Sequence, residues 1–520
     1  MALTLSFALL LLVAAAGPSA AKPGLGPRGW APGDLPVTLS SAAVTAALWT
    51  AYLLGALGVA LGLWRARHGG SAAGRTGWPP GSPGWLRALW PLALGALALL
   101  TAPIGSADHT NYAAYGRIAA QGGDPYLVAP ITWAGGLDPV TSAVEPPWTM
   151  TPSVYGPFGT ALQAVSSLIG HDNLRQTVWI WQVLIVAAWL MVRLLLRRAA
   201  PDEVARRRVD LLWTANPLLF GVAVLGAHVD LIATALALAA VVLAARRPWI
   251  AGLVLGATVS TKITYGIVGL AIMWSWRSLA RNEQIRHLVA LMVASLAIFM
   301  PLHLWAGPHV FEQLLKAGKG VSLATAWRPV VNLLSAVMPL DAARTVVSAA
   351  SVVVVVVLAW ALSCLVRPRP PVVHHPSPAQ APTGQQTLST QQGLAQRGLP
   401  TTRDPSTQTQ SAMTATFVLA TAYALGAPYA LPWYDVLTWA TLPLMLGTVL
   451  DGILLARLTV MAMAYVPGRV VAMSADVESL TLGFRKIAGP AAAWLVWLAI
   501  AGVARRGSSR AGTPTRRRTS

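Results

Sequence analysis

Apolar runs separated by short polar breaks repeat along the whole chain. They occupy residues 3–16, 37–64, 86–104, 158–169, 177–196, 249–276, 288–304 and 346–366, and resume at 413–427, 436–450, 454–465 and 487–503. Most are long enough to cross ~30 Å of hydrocarbon as a helix. Segments of this kind satisfy their own backbone hydrogen bonds, which favours helices in lipid. The pattern predicts an all-α polytopic membrane protein of roughly eleven to thirteen transmembrane helices.

The breaks carry as much information as the runs. Residues 105–153 stay polar and rich in Pro and Trp, with Asp124-Pro125, Asp138-Pro139 and Glu145-Pro-Pro-Trp148 acting as turn initiators. Tyr112, Tyr115 and Ala119 keep helical spacing, so a short helix at the membrane surface is expected there. Asn216-Pro217 predicts a kink. Residues 249–276 have arginines on both flanks and a polar centre, Ser260-Thr-Lys262-Ile-Thr264, which predicts a re-entrant hairpin. Residues 467–486 are amphipathic and are expected to lie on the outer surface.

Five regions follow. Residues 1–36 hold an apolar segment, either a signal-like leader or a first span, and an external linker. Residues 37–366 form the core membrane region, with the loop 105–153 outside. Residues 367–410 have the Pro, Gln, Thr and Ser content of a disordered cytoplasmic linker. Residues 411–504 form a second membrane region, and 505–520 a basic cytoplasmic tail.

Composition sharpens this. Of 520 residues, 55% are hydrophobic and 11% charged, too apolar for a soluble chain of this length. The net charge of +20 sits in clusters at 65–67, 193–198, 206–208, 246–247, 277–286, 367–369 and 505–518, at the ends of apolar runs. That is positive-inside anchoring, not a nucleic-acid surface. The orientation it dictates places the loop 105–153 outside, on a multi-pass cell-membrane protein. The single cysteine, Cys364, excludes a disulfide framework and a thiolate metal site.

Ionisable groups out of keeping with their surroundings gather at the same ends of the runs. Asp108, where a run stops, is either a helix cap or a general base for an acceptor hydroxyl. His109 is a surface histidine or its catalytic neighbour. His228 and Asp230 lie at a turn, two residues apart, a poor spacing for a shared metal on a helix, and one of them is expected to face the site. Lys262 stands inside an apolar stretch, where a charge is expensive. It binds phosphate, snorkels from the hairpin toward water, or pairs with an acid such as Asp230. Arg117 and Arg328 are either further phosphate sites, because a guanidinium grips phosphate with two donors, or are drawn to anionic lipid headgroups. Tyr112, Tyr115, Tyr126, Tyr155 and Trp148 form either an interfacial belt or stacking platforms for sugar rings. A glycine-rich phosphate loop before a helix, as a soluble nucleotide-sugar domain would carry, is missing from the sequence.

The ordered set is similar to that of the actinobacterial polytopic (GT-C type) glycosyltransferases, and most to polyprenol-phosphomannose-dependent α-1,6-mannosyltransferases. The resemblance rests on Asp108-His-Thr-Asn-Tyr112-Ala-Ala-Tyr115-Gly-Arg117 with Gly-Asp124-Pro-Tyr126, and on Pro152-Ser-Val-Tyr155-Gly-Pro157. It continues through Gly226-Ala-His228-Val-Asp230, the Lys262 segment and Pro432-Trp433-Tyr434, and covers roughly residues 85–450.

It implies a GT-C-like bundle with an outward-opening site. Sugar would move with inversion from a polyprenyl-phosphate donor to a glycolipid or polysaccharide acceptor, among membrane lipids and without nucleic acid. Asp108 with His109 would be catalytic, and Lys262, Arg117 and Arg328 would steady the phosphate. Tyr112, Tyr115, Asp124, Tyr126, Tyr155, His228, Asp230, Trp433 and Tyr434 would meet sugar or acceptor. No cofactor or metal is implied, since the leaving phosphate is already charged. His109 stands where a metal-binding DxD would need a second acid, and Asp435 where an apolar residue is expected. A transporter or flippase of lipid-linked glycans is the alternative; it requires polar groups threaded through the span centres.

Overall fold

The computed structural model describes residues 1–68, 84–366 and 404–511. The expected linker 367–410 and basic tail 505–520 fall largely outside the described residues. Helices build the fold, and no β-strand element occurs among the described residues.

Among the described residues, five helices are long and apolar enough to cross a membrane: Ser41–His68 (α2), Leu174–Ala199 (α6), Arg281–Ala306 (α12), Leu340–Leu365 (α15) and the apolar part of Ala475–Ala511 (α19). A sixth is possible if the bent pair Glu203–Thr214 and Pro217–Leu225 forms one span. The bend of 40° falls at Asn216-Pro217, as the sequence predicts. Asn216 caps the second half, its side chain accepting from the Leu218 amide at 3.1 Å. Shorter apolar helices fill the interior, among them Ala2–Ala15 (α1), Asp230–Ala244 (α9) and Pro248–Val259 (α10).

Small residues set how closely these helices approach. Gly252 and Gly256 lie one turn apart on α10, facing α12. A methyl group on them would come within 2.5 Å of the Leu291 carbonyl and 2.4 Å of the Ser295 carbonyl. Ser295 Oγ donates to the Gly252 carbonyl at 3.0 Å, so the seam is packed and hydrogen-bonded.

The run 249–276 is broken where its polar centre predicts. Helix α10 ends at Val259, and Ile267–Ser275 (α11) resumes after a 3-10 turn at Ile263–Gly266. The first half packs on α9 and α12, the second on Pro405–Gly426 (α16).

Several expectations are corrected. The helix at Tyr112 and Tyr115 exists as Asp108–Ala120 (α4), but nine of its residues are buried. It is pressed against Pro157–Gly170 (α5) and α6 instead of lying on a surface. Residues 475–486 continue without interruption into the last span as α19, so they form no separate surface helix. The run 436–450 yields only Val436–Thr441 (α17) and a 3-10 turn at Leu442–Leu444, because Pro443 and Gly447 stop the helix. The next helix is Val449–Ala464 (α18).

The N-terminal segment is an integral part of the core. Leu10, Val13 and Ala14 are fully buried, and α1 lies along α2. Beyond α1, buried Lys22 bonds to Asp34 at 2.7 Å, and Arg175 of α6 bonds to the same carboxylate at 2.7 Å. Arg469 donates to the carbonyls of Ser19 and Lys22 and pairs with Glu145 from the loop 105–153. The Gly105 amide donates to the Ala21 carbonyl at 2.8 Å. This ionic and backbone mesh holds the segment that leads into Asp108.

Candidate active site

Four pieces of chain converge where α4 begins: the turn 226–229, the start of α9, the break in 249–276 and the 3-10 turn Pro432–Asp435. Each is shaped by local sequence. Before the turn, Phe220–Leu225 winds as a wide π-helix, a form that recurs at functional sites. Ala227 then takes φ +53°, a left-handed conformation costly for a residue with a Cβ. Its carbonyl accepts from Trp181 Nε1 of α6 at 2.8 Å, which pins the turn.

At the break, Ser260 and Thr261 lose their helical partners. Their carbonyls accept instead from the amides of Phe158 and Gly156 at 2.8 and 3.1 Å. Gly156 must be glycine for this approach, since a Cβ would sit 2.2 Å from the Ser260 oxygen. The Tyr155-Gly-Pro157 motif therefore locks the Lys262 break in place.

Two coupled pairs result. His228 Nδ1 stands 3.4 Å from Asp108 Oδ2, and its ring stacks on Trp433 at 3.6 Å and 12°. Lys262 Nζ donates to Asp230 Oδ1 at 2.6 Å and sits 3.6 Å from the centre of the Tyr434 ring. His228 and Asp230 belong to one turn, and Trp433 and Tyr434 to another, so the pairs are covalently linked twice. Both His228 and Asp230 thus serve the cluster. The helical-spacing argument against this does not apply, because α9 starts only at Asp230 and His228 precedes it.

Lys262 and Asp230 line a small recess, walled also by Tyr265, Tyr423, Tyr434 and Leu437. An ammonium carries three donors. One is used by Asp230, and the lysine side chain remains 13% exposed.

Asp108 is not a helix cap. It is the first residue of α4, Ala107 takes the cap position without a side-chain bond, and the Asp108 amide donates to Ser106 Oγ at 3.2 Å. Its carboxylate is left for other work and is 16% exposed.

Other expected site residues are placed elsewhere. Arg117 is engaged by Asp138 at 2.9 Å and by Asp172. It lies nine residues along α4 from Asp108, roughly 14 Å away along the helix axis. Burial alone would raise the Asp138 carboxyl, but the bonds from Thr141 and Arg117 prevail and hold it below the usual range. Asp124, beyond the far end of α4, caps the Tyr126 amide and bonds to His309 at 2.8 Å. Tyr126 is buried with its hydroxyl 2.8 Å from Thr160. Arg328 stands at the start of Trp327–Leu334 (α14), which packs on α15 and α19.

Tyr112 and Tyr115 are buried. Tyr112 packs at 5.0 Å on half-buried Tyr155 and at 5.2 Å on Trp181, so these rings wall the site instead of facing solvent or lipid. Trp433 and Tyr434 each spend one face on His228 and Lys262. Asp435, unexpected in the sequence, bonds to buried Arg457 of α18. Arg457 is a charge inside an apolar stretch and Asp451 one just before it, the same signal that marks Lys262, and that signal was sufficient to single them out. Tyr265 and Tyr423 gave none, being ordinary aromatics of apolar runs.

His109 is sealed in, fully buried, and neither ring nitrogen has a hydrogen-bond partner. Burial pushes its pKa down from 6.5 to about 3, against the pull of Asp108. The ring is neutral at physiological pH and closed to substrate, contrary to a catalytic role for it. Unfolded, it binds a proton near pH 6.5; folded, only near 3. Stability is therefore complete above the higher value and falls as the pH drops toward the lower, by at most roughly 1.4 kcal/mol per pH unit. The melting temperature of detergent-solubilised protein is expected to fall between about pH 7 and about pH 5. His109→Asn should flatten that dependence; an unchanged slope would show that the ring is not the titrating group.

Comparison with known proteins identifies a family. Residues 3–277 match the family model described as α-(1→6)-mannopyranosyltransferase, N-terminal domain. That span contains Asp108, His228, Asp230 and Lys262. The α-(1→6)-mannopyranosyltransferase A of Mycobacterium tuberculosis is 28% identical over 210 residues, 39% of this chain and 40% of that protein. A probable α-(1→6)-mannopyranosyltransferase of Mycolicibacterium smegmatis is 32% identical over 225 residues, 36% of this chain and 39% of its own length. The α-(1→6)-mannopyranosyltransferase B of Corynebacterium glutamicum is 28% identical over 221 residues, 38% of this chain and 36% of its own. The chain thus spans about two fifths of the length of the curated relatives it matches. With more than half of its residues within the family model, and a helical fold with several helices of membrane-spanning length, the chain belongs to the α-(1→6)-mannopyranosyltransferase family.

Proposed function

We propose that this protein is an integral-membrane mannosyltransferase. It moves mannose with inversion from a polyprenyl-phosphate donor to a glycolipid or polysaccharide acceptor at the external face of the membrane. The observation that supports this reading is that a partly exposed carboxylate, Asp108, and an ammonium, Lys262, each meet a residue of the same turn, His228 and Asp230. A glycosyl transfer of this kind needs both.

The acceptor hydroxyl attacks C1 of the sugar on the side opposite the phosphate. Its proton passes to Asp108. The bond from C1 to the phosphate oxygen breaks, its electron pair leaving with polyprenyl phosphate. That product is already anionic, so it needs charge stabilisation and no proton, which Lys262 supplies from the edge of its recess. Asp230 and Tyr434 aim the ammonium.

The test uses the purified full-length protein, labelled polyprenyl-phosphate mannose and a short α-mannoside. Label should appear in the acceptor from the lipid donor, and none when the donor is a nucleotide sugar. Transfer only from the nucleotide sugar would overturn the reading. Movement of the intact lipid-linked sugar across a vesicle membrane, without transfer, would favour a flippase instead.

A further inference from the structure

We infer that His228 is a positioning residue: its imidazole holds the Asp108 carboxylate in the orientation that receives the acceptor proton. This deepens the proposed function and rests on Asp108 being the base.

The geometry excludes the simpler assignment of His228 to sugar binding. The residue is only 1% exposed, and one face of its ring is covered by Trp433 in a near-parallel stack. What remains is the ring edge. Nδ1 is buried, has no hydrogen-bond partner, and points at Asp108 Oδ2 across 3.4 Å. A buried nitrogen left unpaired is uncommon in a folded protein. Catalytic hydrogen bonds are often long before substrate binds and tighten once it does. A small turn of the Asp108 side chain closes this one, with the Nδ1–H donating to Oδ2 and leaving Oδ1 for the acceptor hydroxyl.

The imidazole is held by its neighbours. Trp433 fixes the plane of the ring and is itself met edge-on by Tyr465 at 6.3 Å. Behind the ring, the turn is anchored by the bond from Trp181 to the Ala227 carbonyl. The charged and titratable groups facing it are few. From α4 they are Asp108, the neutral His109 and the phenol of Tyr112, and from its own turn Asp230, which Lys262 neutralises. On the turn that carries Trp433, Asp435 is paired with Arg457. Asp108 is therefore the one acid in this set, among the described residues, without a cationic side chain already bonded to it.

The test compares His228→Leu, His228→Asn and His228→Gln in the purified full-length protein, with labelled polyprenyl-phosphate mannose as donor. The Asn amide can place a donor near the position of Nδ1; Gln places it near Nε2, and Leu removes it. Turnover is expected to fall about 10- to 100-fold in the Leu and Gln variants and to recover in Asn, with KM for both substrates little changed. A rise in KM alone would assign His228 to substrate binding and overturn the inference. Equal losses in Asn and Gln would do the same, by showing that only packing matters. If the Leu variant does not fold, the Asn–Gln comparison decides. Asp108→Asn reports separately on the underlying reading: full activity in that variant removes the base, whatever the His228 series shows.

Discussion

Asp108→Asn is expected to lower mannosyl transfer by about 10²- to 10⁴-fold while leaving the protein folded. The two side chains have nearly the same shape, and the carboxylate makes no cap bond that the amide would break. Its neighbour is His228 at 3.4 Å, an approach an amide oxygen tolerates as well as a carboxylate. What asparagine cannot do is take up a proton. The loss should therefore appear in turnover at saturating donor and acceptor, with the melting temperature near that of the parent. Binding of a non-transferable donor analogue should persist, since Lys262 and its recess are untouched. A variant that keeps most of its turnover would take away the base, and with it the chemical role given to the α4 end of the molecule.

The second large effect concerns the opposite kind of charge, one wholly withdrawn from solvent. Arg208→Met is expected to cost about 3–5 kcal/mol of stability. Asp451 is 0% exposed and is gripped by Arg208 through two bonds, of 3.0 and 2.9 Å. Arg208 also reaches the carbonyls of Pro443 and Leu442, and Arg67 adds a bond of 3.1 Å from α2. Removing Arg208 leaves a buried carboxylate with one half-exposed partner. The double variant Arg208→Met with Asp451→Leu removes both charges and should recover most of the loss, because the penalty lies in the unpaired ion. Thermal unfolding of the two variants in detergent measures this. A single variant as stable as the parent would show that the pair is not buried as described.

This triad also shows why local reading stops short. Arg67 and Arg208 belong to basic clusters that read as anchors at the ends of apolar runs, and a hydropathy argument assigns them nothing further. Their partner is more than two hundred residues away. Arg117 illustrates the reverse error. As a lone guanidinium in a polar loop it invites a phosphate, yet the folded loop supplies Asp138 and Asp172 to it. Spacing along α4 already carried part of the answer, since nine residues of helix separate Arg117 from Asp108.

Periodicity and punctuation were enough for the all-helical membrane class, the bend at Asn216-Pro217, the interruption at Lys262 and the end of a run at Asp108, because each follows from the chain's own backbone chemistry over a few turns. Residue type was enough to mark Asp108, His228, Asp230 and Lys262, since polar groups beside hydrocarbon are costly wherever they point. Which acid meets which cation, which aromatic face is covered, and that His109 is shut away from its neighbour's surroundings were settled only by packing. Those outcomes depend on the relative placement of helices joined through long connections, and a contact across such a distance leaves no trace in the order of residues on either side.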